Sequence, residues 1–147
     1  MTNHVFVVSE ASNHQMRVFN LTRLLNVENP SKDAAFSLDA SFGNFGDAHN
    51  IVINEDTGFA YIVGSSTCRG GLYIVNIINP QIPTYACCYS GDGYTHDAQC
   101  VTYDGPDTKY MGREICFAAN EDYITIVDVN RKTNPRQIRR KTWNGQA

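Results

Sequence analysis

The chain has 147 residues, 42% of them hydrophobic and 18% charged, with a formal net charge of −3. That is one domain, or part of a larger one, with enough apolar material for a packed core. The mild acidity argues against a polyanion such as nucleic acid as a partner of the whole chain, and no apolar run approaches the ~20 residues of a membrane-spanning helix.

Charge is unevenly spread. Arg131, Lys132, Arg136, Arg139, Arg140 and Lys141 are basic with no acid among them, so the rest of the chain is strongly acidic. Such a tail suits a nucleic acid or an acidic membrane, or simply a solvated last strand with its turn, and the last reading is favoured. The opening Met1–Val8 has neither a basic region nor a long apolar stretch, so it does not read as a signal peptide. It reads as a strand that begins almost at once.

In chain order, Phe6-Val7-Val8-Ser9 is the first strand and Arg17–Leu21 the second, with Leu21–Val27 the best helical candidate. Ala35–Ser41 and His49–Asn54 follow. Glu55-Asp56-Thr57-Gly58 is a tight turn into Phe59–Gly64, since Asp and Gly suit the dihedrals of a hairpin. Ser65–Gly70 loops round to Gly71–Ile77, and Asn79-Pro80 stops that strand because proline cannot donate to a ladder. Thr84–Tyr89, His96–Tyr103, Glu114–Ala119 and Tyr123–Val129 repeat the order, again before an Asn-Pro pair at Asn134-Pro135.

The repetition is the architectural signal. Phe6-Val7-Val8-Ser9 aligns with Tyr61-Ile62-Val63-Gly64 and with Cys116-Phe117-Ala118-Ala119, and Ala48-His49-Asn50 aligns with Thr95-His96-Asp97. The repeating units run over about residues 1–30, 31–80 and 81–135. Leu72–Ile77 is apolar at odd and even positions alike, as in a strand buried on both faces. Four-stranded antiparallel units stacked face to face predict an all-β fold, an incomplete β-propeller of about two and a half blades, where closed propellers need ~4–8. A β-sandwich is the rival, and it predicts no repeat of order. The remaining blades are expected from the rest of a longer protein or from an oligomer.

Gly71-Leu72-Tyr73-Ile74-Val75-Asn76-Ile77 resembles the LVIVD repeat. Ala48-His49-Asn50-Ile51-Val52, Gly93-Tyr94-Thr95-His96-Asp97-Ala98-Gln99-Cys100 and Gly112-Arg113-Glu114-Ile115-Cys116-Phe117 resemble the choice-of-anchor B type of LVIVD protein, as do Asn120-Glu121-Asp122 and Thr125–Val129. Nearly the whole chain is covered. One departure is Cys87 before Cys88, where the family tends to have glycine. The resemblance implies a secreted or surface-anchored β-propeller, and hence an extracellular or cell-surface location.

Of the five cysteines, Cys100 and Cys116 sit on strands expected to be antiparallel neighbours, within disulfide reach. Cys68 precedes one strand and Cys88 lies on another, in a bridge expected to tie adjacent blades. Adjacent strand residues face opposite ways, so Cys87 is left free. The alternative is five reduced core cysteines in a cytosolic protein.

His49 and His96 occupy equivalent places, followed by Asn50 and Asp97. Imidazoles and side-chain oxygens repeated around one rim suit a divalent metal or a polarised substrate. The architectural reading is that each histidine fixes a blade turn, and repetition favours it, because a catalytic residue is usually unique. His4 and His14 have no repeat partner and are expected to be exposed. Asp104 and Asp107, in an acid-bearing turn, are weaker candidates for calcium. Asn20-Leu21-Thr22 is a glycosylation sequon on a strand where access is poor.

The expected function is therefore a secreted or cell-surface binding scaffold without a defined catalytic activity or cofactor, meeting a protein or glycan ligand at its blade loops. The other class is a metal-assisted hydrolase or lyase centred on His49, His96 and Asp97. A purely structural spacer is the third reading.

Overall fold

A computed structural model describes residues 3–28 and 35–142. The Asn29-Pro30 pair lies outside them. The chain forms three antiparallel sheets. The first holds β1 (His4–Val7), β2 (Met16–Asn20) and β3 (Ala40–Phe42). The second holds β4 (Asn50–Asn54), β5 (Phe59–Val63), β6 (Leu72–Asn76) and β7 (Thr84–Tyr89). The third holds β8 (Thr95–Thr102), β9 (Glu114–Asn120), β10 (Tyr123–Asp128) and β11 (Arg136–Thr142). Among the described residues these sheets do not close a ring or barrel.

Sheets and sequence units are offset by one strand. The segment expected to open the middle unit, Ala35–Ser41, is a strand only over Ala40–Phe42, and it pairs with β2 of the first sheet. Likewise Thr84–Tyr89 closes the second sheet against β6 instead of opening the third. An Asn-Pro pair stops a strand but leaves open where the next one goes. After Asn79-Pro80 a turn closed by Ile82 N–H donating to the Asn79 carbonyl (3.0 Å) sends the chain straight back along β6. The basic tail follows the same pattern: β11 pairs with β10 as a largely exposed outer strand.

The expected helix is a 3-10 helix, Leu21–Asn26, with no buried residue. Asn20 caps it through Oδ1, which accepts from the Thr22 N–H (2.9 Å). Without an apolar face to bury, so short a helix depends on its cap and on Arg23, whose guanidinium bonds Asp39 and the Ser37 carbonyl across the loop.

The middle sheet is buried on both faces, which is why its strands lack alternation. Ala60, Ile62, Tyr73 and Val75 pack with Met16, Val18 and Phe42 of the first sheet. Tyr61, Val63, Leu72 and Ile74 pack with Cys100, Cys116, Ala118 and Val127 of the third. Each such large side chain, once buried, contributes roughly 1.5–3 kcal/mol. A buried carboxylate lies at the second of these cores. Glu114, 2% exposed, accepts from the Tyr61 hydroxyl (2.5 Å) and from the Lys132 ammonium (2.6 Å). Lys132 also lies over the Phe59 ring, 4.6 Å from its centre. Burial, and then the adjacent carboxylate, push the Tyr61 phenol far above its ordinary range, so it stays a donor.

Two disulfides join Cys100 to Cys116 and Cys68 to Cys88, with Cys87 free. Cys100 and Cys116 are cross-strand partners on β8 and β9. Cys68–Cys88 does not tie two sheets together, as the sequence units suggested. It links the loop before β6 to β7 within the second sheet, because β7 belongs there.

Pairing also corrects the repeat alignment. Asn50 pairs with Val63, and its equivalent Asp97 pairs with Ala119. Ala119 therefore matches Val63, not Gly64. A slip of one residue exchanges the two faces of a strand. Cys116 consequently corresponds to Ala60, and it faces back into the core shared with the second sheet.

Candidate rim site where three sheets converge

The inner strands β4 and β8 lie side by side. His49 immediately precedes β4, and Asn50 begins it. At the start of β8, Thr95 pairs with Asn120 and Asp97 with Ala119, leaving His96 as the extra residue of a bulge. A bulge re-aims the side chain it carries. The result brings the repeated steps together. The His49 and His96 ring centres are 4.1 Å apart, inclined at 53°. Asn50 Nδ2 donates to Asp97 Oδ1 (3.0 Å). Each of these two residues also accepts through Oδ1 from the next backbone N–H, at 2.8 Å in both cases. The repeat is thus a linked pair of identical small turns.

The other two contributors come from outside the repeated motif. Glu10, in the loop after β1, places Oε1 2.6 Å from His49 Nδ1. An ionised carboxylate only accepts, so Nδ1 donates in this contact. Glu10 is 71% exposed on its side chain, so the pair orients the ring more than it stabilises the fold. Tyr94 lies beside His49, with ring centres 6.3 Å apart. Partial burial, then the Glu10 and Glu121 carboxylates, raise its phenol above the ordinary range. Both acids therefore border one rim.

Gly64 and Gly70 make room for Tyr94. A Cβ on Gly64 lies 2.5 Å from His49 Cβ and 2.8 Å from Tyr94 Oη, and one on Gly70 lies 2.9 Å from Tyr94 Cδ2. Gly64 also holds φ +61, where side chains are rare. Gly64→Ala is expected to cost about 1–3 kcal/mol and to displace Tyr94 from His49. Denaturant titration measures the first effect. Loss of ring-to-ring nuclear Overhauser contacts between Tyr94 and His49 reports the second.

Sequence reasoning placed His49, Asn50, His96 and Asp97 at equivalent positions, and the structure makes them neighbours. Asp104 and Asp107 lie beyond the other end of β8, roughly 25 Å away at ~3.3 Å per residue. There Asp107 is engaged in its own turn, its Oδ1 accepting from the Lys109 N–H (3.2 Å). Among the described residues no three His, Cys, Asp or Glu side chains converge as a metal ligand set. Glu10 and Tyr94 were missed as site residues. The signal for Glu10 existed, since in the corrected register Glu10, Ser65 and Glu121 are equivalent.

His4 is a second correction. It is not exposed: both ring nitrogens are buried without a hydrogen-bond partner. Its counterpart in the second sheet is Phe59, partly buried against the core, since His4 pairs with Asn20 as Phe59 pairs with Asn76.

No helix among the described residues is long and apolar enough to cross a membrane. Comparison with known proteins finds no matching family model, curated protein or solved structure.

Proposed function

We propose that this chain is part of an extracellular β-propeller of the LVIVD, choice-of-anchor B type, acting as a binding scaffold. Its recognition surface is the rim of Glu10, His49, Tyr94, His96 and Asp97, and its partner is a protein or a glycan. The observation that carries the propeller reading is the sameness of the two sheet interfaces. In the middle sheet, Tyr61 and Ile74 face forward and Ala60, Ile62 and Val75 face back. Register places Phe117 and Ile126 of the third sheet at the forward positions. It places Val5, Val7 and Phe19 of the first sheet at the backward ones. Each outer face thus has an apolar centre, with Arg17 and Ser41 beside Val7 on one and Gln99 and Arg139 beside Phe117 and Ile126 on the other, which supports a stack continued by more of the chain or by another copy. A sandwich has no reason to repeat them. Two disulfides support an oxidising compartment.

The exposure of Glu10, His96 and Asp97 supports partner contact at the rim over chemistry in a closed site. The Glu10-oriented imidazole of His49 favours a hydrolase or lyase as the second reading. That reading lacks a third metal ligand among the described residues.

A glycan array and a panel of extracellular proteins, probed with the wild type, His96→Ala, Asp97→Ala and Tyr110→Ala, separate these readings. Selective binding lost in the two rim variants, and kept in Tyr110→Ala, is the expected result. Hydrolysis of ester or phosphoester substrates that His96→Ala abolishes overturns the scaffold reading in favour of the enzyme.

A further inference from the structure

The first sheet holds three strands and each of the others four. The strand without a counterpart is the inner one. β4 lies beside β5 and β8 beside β9, whereas β1, which stands in the place of β5 and β9, pairs only with β2 among the described residues. We propose that the open edge of β1 is a docking edge for one more antiparallel strand of the β4 pattern, a His-Asn step followed by three apolar residues.

The first support is the phase of the ladder. Leu21 N–H donates to the Asn3 carbonyl (2.7 Å), as Ile77 N–H does to Gly58 (2.9 Å) and Val129 N–H to Glu114 (3.0 Å). Along an antiparallel ladder, successive residues turn their N–H and C=O to opposite sides. His4, Phe6 and Val8 therefore direct these groups away from β2, just as Phe59, Tyr61 and Val63 direct theirs toward β4. There the Val63 carbonyl accepts from the His49 N–H (3.1 Å). An edge with such a row of groups is a template for a further strand.

Burial is the second support. Phe6 and Val8 pack against the core shared with the second sheet, as their counterparts Tyr61 and Val63 do against the core shared with the third. Yet Tyr61 and Val63 are 0% exposed, while Phe6 and Val8 are only partly buried. Tyr61 is flanked by an inner strand, whose Val52 packs on the same core, and Phe6 is not.

The rim specifies the asparagine. Asp97 Oδ1 accepts from both Asn50 Nδ2 and the Ala98 N–H. Asn50 Oδ1 accepts from the Ile51 N–H alone among the described residues. An asparagine at the same place on the incoming strand donates to Asn50 and continues the chain of links. This inference uses the same repeat as the propeller reading but concerns an edge, so it can hold even if both outer faces are exposed.

The probe is a capped peptide of residues 48–54, titrated into isotope-labelled protein. The expected result is saturable binding, with hydrogen exchange at the Phe6 and Val8 amides slowed about tenfold or more. Val5 and Val7, already bonded to β2, serve as references that change little. The same peptide N-methylated at the Val52 position loses the N–H that meets the Phe6 carbonyl, and is expected to bind about tenfold more weakly. Joining residues 48–57 directly ahead of Asn3 repeats the β4–β5 hairpin and makes the pairing intramolecular. That variant is expected to show the same protection without peptide, and a higher melting temperature. The proposal fails if neither the peptide at about 1 mM nor the joined strand slows exchange at Phe6 and Val8. Equal binding of the methylated peptide also overturns it. So does a chain that dimerises on its own with those two amides already protected, which gives the edge to a second copy.

Discussion

Replacing Glu114 with alanine is expected to lower the unfolding free energy by about 3–5 kcal/mol in a denaturant titration. Glu114 is 2% exposed, and its two oxygens hold the Tyr61 hydroxyl and the Lys132 ammonium. Removing the carboxylate leaves Lys132, only 14% exposed on its side chain, with the Val129 carbonyl and the Phe59 ring as its remaining partners. Tyr61, fully buried, loses its acceptor. Both consequences are desolvation costs without compensation, and they fall on a domain whose whole stability is of order 5–15 kcal/mol. The pair as such contributes far less. Glu114→Leu combined with Lys132→Met removes both charges and strands neither, so the combination is expected to cost only the lost Tyr61 acceptor, about 1–3 kcal/mol. If the double variant is instead as unstable as Glu114→Ala, the cost belongs to lost packing and not to the stranded ammonium.

The second large effect concerns the disulfides. Their cysteines are separated by 16 and 20 residues in sequence, so loop entropy assigns each about 3 kcal/mol. Burial separates them. Cys100 and Cys116 are 3% and 0% exposed in the core between the second and third sheets, while Cys68 and Cys88 are half-buried. Attack by an external thiolate needs access to a sulfur. Graded dithiothreitol followed by alkylation and mass spectrometry should therefore label Cys87, then Cys68 and Cys88, while the sheets persist. Cys100 and Cys116 should be labelled only as the protein unfolds. Cys100→Ala with Cys116→Ala should cost the full bridge plus its packing. Simultaneous labelling of all five cysteines contradicts this order.

The repeated strands were legible because a strand buried on both faces has an unmistakable composition, as in Leu72–Asn76. The Cys100–Cys116 pair followed from strand order, since neighbours in a hairpin are also neighbours in space, whereas Cys68–Cys88 was expected between blades and lies within one sheet. Three things were not legible, each for a physical reason. Asn79-Pro80 stops a strand without saying that the next one folds back beside it, so the sheets came out offset by one strand. Alignment by apolar content tolerates a slip of one residue in a doubly buried strand, because both faces look alike. That slip concealed the equivalence of Glu10 with Glu121, and with it the acidic border of the rim. His4 has no repeated histidine partner, so nothing in its type showed that it occupies the partly buried position held by Phe59 in the next sheet. The convergence of His49 with His96 was legible as equivalence only. Their contact depends on the bulge at His96 and on the space left by Gly64.

The measurement that tests the stacked-sheet account most directly is hydroxyl-radical footprinting of the protein isolated from its native source, read at individual side chains. Tyr61 and Ile74 serve as internal references for a covered forward face. If further sheets continue the stack, Phe117 and Ile126 at one end, and Val7 and Phe19 at the other, are oxidised as slowly as those references. Oxidation of these four residues at the rate of freely exposed side chains, in a folded and disulfide-bonded protein, contradicts the account.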